Sequence, residues 1–176
     1  MMDDLELDDY FDRREERNNK TAEYRFIEYV HENKLWNFLL SNCEFDFVTQ
    51  IFKDEFYKFW IERGMFVRKQ INNDELLRNL LRKLLPPYQG EEITLYRGEN
   101  IKDYRKNRIG FCWSSDLKIA KRFSTRNAYK NSKLILSGRF DKDSIITKIH
   151  SQDDYMDESE YIIDPFKITN ITIIEI

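Results

Sequence analysis

Two glutamates, Glu158 and Glu160, flank a serine at the start of the run ESEYIIDP. Alternate side chains of a strand share a face, so in an extended chain both carboxylates converge. Such a pair suits a reaction through an oxocarbenium-like sugar cation. One carboxylate stabilises the developing charge, and the other orients or deprotonates the incoming nucleophile. The plainer reading is a solvated acidic turn, since HSQDDYMDESE holds five acids in eleven residues. Arg97 closes the apolar run ITLYR and is followed by Gly98, which sets a guanidinium fork at a strand end where backbone can approach a ligand closely. The fork matches phosphate oxygens in bidentate fashion, so a pyrophosphate is a natural partner; the plainer alternative is a surface salt bridge to Glu99 or another acid. A third group, Phe111-Cys112-Trp113-Ser114-Ser115-Asp116, reads as a short strand feeding a helix, or equally as an ordinary strand end with a helix cap.

These groups lie far apart in the chain and need a scaffold to meet. Residues 22–85 read as helices, because apolar positions recur at helical spacing: Phe47, Val48, Ile51, Phe52, Phe56, Phe59 and Trp60, then Leu76, Leu77, Leu80, Leu81, Leu84 and Leu85. Gly64 is expected to end one helix, Asn73 or Asp74 to cap the next, and Pro86 with Pro87 to stop it. After Gly90 the texture turns to β-rich runs at 93–97, 133–140, 144–149, 160–164 and 168–176. One short helix interrupts them, with Ser115 or Asp116 as N-cap and Leu117, Ala120 and Phe123 on its buried face. With no repeat, low-complexity tract or flexible linker, the expectation is one compact domain: a helical lobe over residues 1–90 and a β-rich core over 91–176.

At 176 residues, 41% hydrophobic and 15% aromatic, the chain has enough apolar content to bury a core despite being 35% charged. A net charge of -3 and a pI near 5.6 give no long-range attraction to phosphate backbones, which favours a protein or small-molecule partner. Cys43 and Cys112 are too few for a disulfide framework, lack a zinc spacing and suit a reducing cytoplasm. The opening MMDDLELDDYFD lacks the basic-then-apolar order of a secretory signal, and no run is long enough to cross a bilayer, so no membrane partner is expected. His31-Glu32 lacks the second histidine of a zinc-protease helix, and the acids at 153–160 lack the glycine of a calcium loop, so no metal is expected. His31 and His150, the two histidines, have no convincing nucleophile partner.

In their order, LYRG, then WSSDLKIAKRF, then ESEYIIDP, the three groups resemble the Arg-Ser-Glu class of ADP-ribosyltransferases, which includes many bacterial toxins and phage-encoded modifying enzymes. The resemblance implies an α+β fold in which an N-terminal helical lobe packs on a mixed, mainly antiparallel β-sandwich, with NAD as the consumed substrate. It makes Arg97 the residue that holds the NAD phosphates, and Gly98 the backbone site for the nicotinamide carboxamide. Glu160 becomes the catalytic glutamate that bonds the ribose 2-prime hydroxyl and stabilises the cation as nicotinamide departs. Glu158 engages the acceptor, and a Glu there resembles arginine-modifying members, so a protein arginine is the first choice and a nucleic-acid acceptor stays open. Counting back from Ala120 aligns Cys112-Trp113-Ser114 with the family's Ser-Thr-Ser motif, so either Cys112 or Ser114 fills the serine role. A thiol is the weaker hydrogen-bond donor of the two. Cys112, Trp113, Ser114 and Phe123 would then lie beside NAD. Tyr155 falls in the target-recognition turn, and Arg126 is a candidate second phosphate contact or a solvated loop residue. Two competitors remain open: an NAD glycohydrolase, and a catalytically degenerate interaction protein.

Overall fold

The computed structural model describes residues 20–45, 48–126, 133–149 and 159–175. The chain divides between Leu76 and Leu77 into two compact units.

The first unit contains α1 (Ala22–Glu32), α2 (Trp36–Asn42) and α3 (Gln50–Ile71). Thr21 caps α1 by accepting from Tyr24 N at 3.1 Å, and Thr49 caps α3 by accepting from Phe52 N at 3.1 Å. Each satisfies a donor that the first turn leaves without a helical partner. Ile27, Val30, Trp36, Phe56, Phe59, Trp60, Val67 and Ile71 are buried. Trp36 Nε1 donates to His31 Nδ1 at 3.1 Å, and the His31 ring lies edge-on to Phe59. Burial, and then the nearby Arg63, hold the His31 imidazole below its ordinary value of 6.5, against a smaller opposing effect of Glu32.

Gly64 does not end a helix, because α3 runs through it to Ile71. Its Cβ would sit 2.9 Å from Trp60 Cε2, so the missing side chain leaves room for a buried indole on the same helix. That packing outweighs the roughly 1 kcal/mol that glycine costs a helix interior. The helix ends instead at Asn72, which takes the left-handed conformation at φ 48°. Two members of the expected apolar stripes are exposed, Ile51 and Leu76. At about 100° per residue, Ile51 lies about 140° around α3 from Phe56, and Leu76 about 100° from Leu77.

The helix α4 (Asp74–Leu84) crosses the division between units. Asn73 caps it as expected, its Oδ1 accepting from Glu75 N and Leu76 N at 3.1 Å each. Leu77, Leu80, Leu81 and Leu84 are buried, and Arg82 reaches Asp164, so most of α4 belongs with the β-rich unit.

That unit contains β1 (Ile93–Asn100), α5 (Ile101–Arg105), β2 (Cys112–Ser114), α6 (Leu117–Arg126), β3 (Lys133–Phe140), β4 (Ile145–Lys148), β5 (Glu160–Ile163), a 3-10 turn (Pro165–Lys167) and β6 (Ile171–Glu175). The fold is α+β, with its strands in the order β4-β5-β2-β1-β3-β6. Where a mixed sandwich was expected, the described strands join edge to edge in one sheet and every pairing is antiparallel. β1 runs on to Asn100 because all eight of its residues pair with β3, from Ile93↔Phe140 to Asn100↔Lys133. One face carries a core of Leu95, Trp113, Leu134, Leu136, Phe140, Ile145, Tyr161 and Ile163. Burying a side chain of this size contributes about 1.5–3 kcal/mol. Among the described residues, no helix is long and apolar enough to cross a membrane.

Candidate functional site

The sheet order makes neighbours of β1, β2 and β5, the strands that carry Arg97, Ser114 and Glu160. Ser114 pairs with Tyr96 on one side and directly with Glu160 on the other. One row of the sheet therefore runs Tyr96, Ser114, Glu160. Ser114 is buried, and its Oγ accepts from Asp116 N at 3.0 Å. Asp116 in turn caps α6, with Oδ1 accepting from Lys118 N at 2.7 Å. Glu160 is half-buried and its backbone is held from two strands. Ile149 N donates to its carbonyl at 2.9 Å, while Ser115 N donates to the carbonyl of Ser159 at 3.3 Å. Ser159 adopts a left-handed conformation at φ 45°, which costs a residue with a Cβ about 1–2 kcal/mol. Strain of this kind persists only where the surroundings over-determine it, and here it sets the direction in which Glu160 enters β5.

Arg97 is engaged differently. Alternation places it on the face of Leu95 and Glu99, with Tyr96 and Gly98 on the other face, which Ser114 and Glu160 share. The pairing thus brings Ser114 and Glu160 together, while Arg97 projects from the opposite face. Its Nε donates to Glu99 Oε2 at 2.7 Å and its Nη1 donates to the Cys112 carbonyl, so the side chain links β1 to the start of β2. The expected alternative partner, Glu99, is the one Arg97 takes, but in a buried pair, with side-chain exposures of 17% and 8%. Glu99 also accepts from Asn100 N at 2.9 Å and Gly110 N at 3.1 Å. Desolvation pushes the Glu99 carboxyl up, but Arg97 and the two backbone donors outweigh it, leaving the group below its ordinary value. A Cβ on Gly110 would lie 2.0 Å from Arg97 Nη2, so a side chain there would push the guanidinium out of this position.

Gly98 has a structural reason for its small size. A Cβ there would meet Ala120 O at 2.3 Å and Ser124 N at 2.4 Å, so the backbone that approaches it is that of α6. Trp113, expected beside NAD, is a core residue instead: its indole packs edge-on against Phe140 at 4.9 Å and donates to the Gly110 carbonyl at 3.1 Å. A bulky apolar side chain facing the core side of a sheet is best buried there. Cys112 is exposed, and Phe123 is half-buried, with the Arg122 guanidinium over its ring at 5.7 Å. Arg126 ends α6. Tyr155 and Glu158 lie outside the described residues. Sequence reasoning missed Gly110 as a cradle for Arg97; the short RIGF segment before β2 carried no motif to mark it. Among the described residues, no group of three or more His, Cys, Asp or Glu side chains is placed to hold a metal ion.

Compared with protein-family models, curated proteins and solved structures, the chain shows no match to any.

Proposed function

We propose that this chain is an NAD-consuming ADP-ribosyltransferase that moves ADP-ribose to a macromolecular acceptor, with a protein arginine as first choice. The observation that supports it is the row Tyr96, Ser114, Glu160, formed by segments far apart in the chain and flanked by Arg97. A half-buried carboxylate on a fixed backbone is suited to stabilising a ribosyl cation, because it needs no rearrangement when charge develops. On this reading the ribose–nicotinamide bond breaks with its electron pair leaving on nicotinamide. Glu160 supports the resulting cation, and the acceptor attacks the anomeric carbon and loses a proton. Ser114 stands beside Glu160 as the serine, in preference to the exposed Cys112. The family role of Arg97, holding the pyrophosphate, is the part of this reading that its place on the opposite face, against Glu99 and the Cys112 carbonyl, does not support. Glu158 and Tyr155 complete the acceptor side.

The Arg97–Glu99 pair favours a second reading, a scaffold in which Arg97 is purely structural. One experiment separates the two. Nicotinamide release from NAD is measured for the purified protein and for Glu160→Ala, with labelled NAD added in parallel to a lysate. The transferase reading expects release to fall by about 100-fold or more in the variant, the scale of losing one preorganised electrostatic group, and label to appear on protein. Release without transferred label points to NAD hydrolysis, and no release with or without lysate to the scaffold.

A further inference from the structure

At the other end of β5 from Glu160 lies an open depression of about 310 Å³, lined by Arg82, Pro87, Tyr88, Gln89, Lys142, Asp143, Ile145, Ile146 and Lys167. Ile145 pairs with Ile163, the last residue of β5, whereas Glu160 is its first, which separates the two places by roughly 10 Å along the strand. Three cations, Arg82, Lys142 and Lys167, line this depression with Asp143, while Asp164 behind Arg82 and Asp141 beside Lys167 offset part of their charge.

Arg82 is fixed before any ligand arrives. Its Nε and Nη2 donate to Asp164 Oδ2 at 3.2 and 2.9 Å, and Nη2 donates to the Asp143 carbonyl at 2.8 Å. Asp164 is itself buried, and its other oxygen accepts from Phe166 N at 3.1 Å, so the carboxylate cannot swing away. Arg82 nevertheless keeps 35% of its side chain exposed, and its Nη1 has no partner among the described residues. The exposed Lys142 and Lys167 side chains likewise make no hydrogen bond or ion pair among the described residues.

Tyr88 is ordered in the same way. Its hydroxyl donates to the Glu91 carbonyl at 2.9 Å, its ring meets Tyr161 edge-on at 5.9 Å, and Gly90 gives it room, since a Cβ there would lie 2.2 Å from the hydroxyl oxygen. A pre-set guanidinium with a free Nη1, two exposed ammonium groups, of which Lys167 also faces Asp141, and a fixed aromatic ring suit a phosphate attached to a planar ring. The volume is at the low end for small-molecule sites, which suits a mononucleotide and is too small for a dinucleotide such as NAD.

We propose that this depression is a binding site for a nucleoside monophosphate, with the phosphate on Arg82, Lys142 and Lys167 and the ring against Tyr88. It is independent of the site proposed for NAD. The test is calorimetric titration of the full chain with AMP, adenosine and inorganic phosphate. Arg82→Gln would strand the buried Asp164 carboxylate, so the test rests on Lys142→Ala/Lys167→Ala, two exposed positions, with folding checked by thermal melt. Saturable AMP binding is expected, weakened by added salt and at least about tenfold weaker in the double variant, with phosphate weaker than AMP and adenosine unbound. Glu160→Ala is expected to bind AMP like the parent. The proposal is overturned if AMP gives no saturable signal in the millimolar range, or binds the double variant like the parent. It fails equally if adenosine or phosphate matches AMP, or if Glu160→Ala abolishes binding.

Discussion

Glu99 receives donors from three directions: the Arg97 guanidinium and the backbone N–H groups of Asn100 and Gly110. Taking away its charge leaves Arg97 largely buried without a counterion, and breaking a buried pair in this way costs about 3–5 kcal/mol. Glu99→Gln is therefore expected to lose about 3 kcal/mol at pH 7 in chemical denaturation, the low end because Arg97 keeps some exposure. A loss under about 1 kcal/mol would mean that the pair is incidental. Because the folded carboxyl sits below its ordinary value, its contribution is present above the unfolded value of about 4.3 and is lost as pH falls through the folded one. The gap between parent and variant should accordingly narrow in acid.

Glycines show most clearly where local rules stop. Gly64 has the sequence mark of a helix end and sits inside α3; Gly98 has the mark of a ligand approach and admits a helix. At Gly98 the deciding neighbour is the α6 backbone, which spacing along the chain does not encode; at Gly64 it is the Trp60 indole one helical turn back, a volume requirement that a helix-end rule leaves out. Propensity alone gives Gly64→Ala a gain of about 1 kcal/mol. The contacts of 2.9–3.1 Å with a buried indole argue for a loss of about 1–3 kcal/mol instead. Gly98→Ala should cost at least as much, since rigid backbone is what its Cβ meets, and it should displace α6; a melting temperature at or above the parent's for either variant would refute the packing account. Features set by neighbours in sequence were legible: the Asn73 cap, the Asp116 cap and all eight residues of β3. The 3-10 turn at Pro165 was not, because it depends on Asp164, which read as the end of a strand.

At the scale of the molecule, folding lowers the proton affinity of a group in each unit, His31 in the first and Glu99 in the second. Both contributions are present at neutral pH and are lost on acidification: that of His31 as pH falls through its folded value, below 6.5, and that of Glu99 lower still. Protonating His31 Nδ1 would also set it donor-to-donor against the Trp36 indole. An NMR titration should therefore give His31 a midpoint below 6.5, with the Trp36 indole N–H shifting at the same midpoint; a midpoint at or above 6.5 would contradict the burial. The three segments of the candidate site could be read in sequence, but their meeting could not, because the pairing of Ser114 with Glu160 depends on non-local strand order. Nor could the face on which Arg97 projects, which follows from the Tyr96–Ser114 register. The order β4-β5-β2-β1-β3-β6 has a consequence in time as well as space. β5 is made after β1, β2, β3 and β4 yet lies between β4 and β2, so during synthesis β2 has β1 on one side but waits for its other partner until the ribosome has passed Ile163. Pairings this distant in sequence form slowly, and the Ser114–Glu160 row is among the last features a nascent chain acquires.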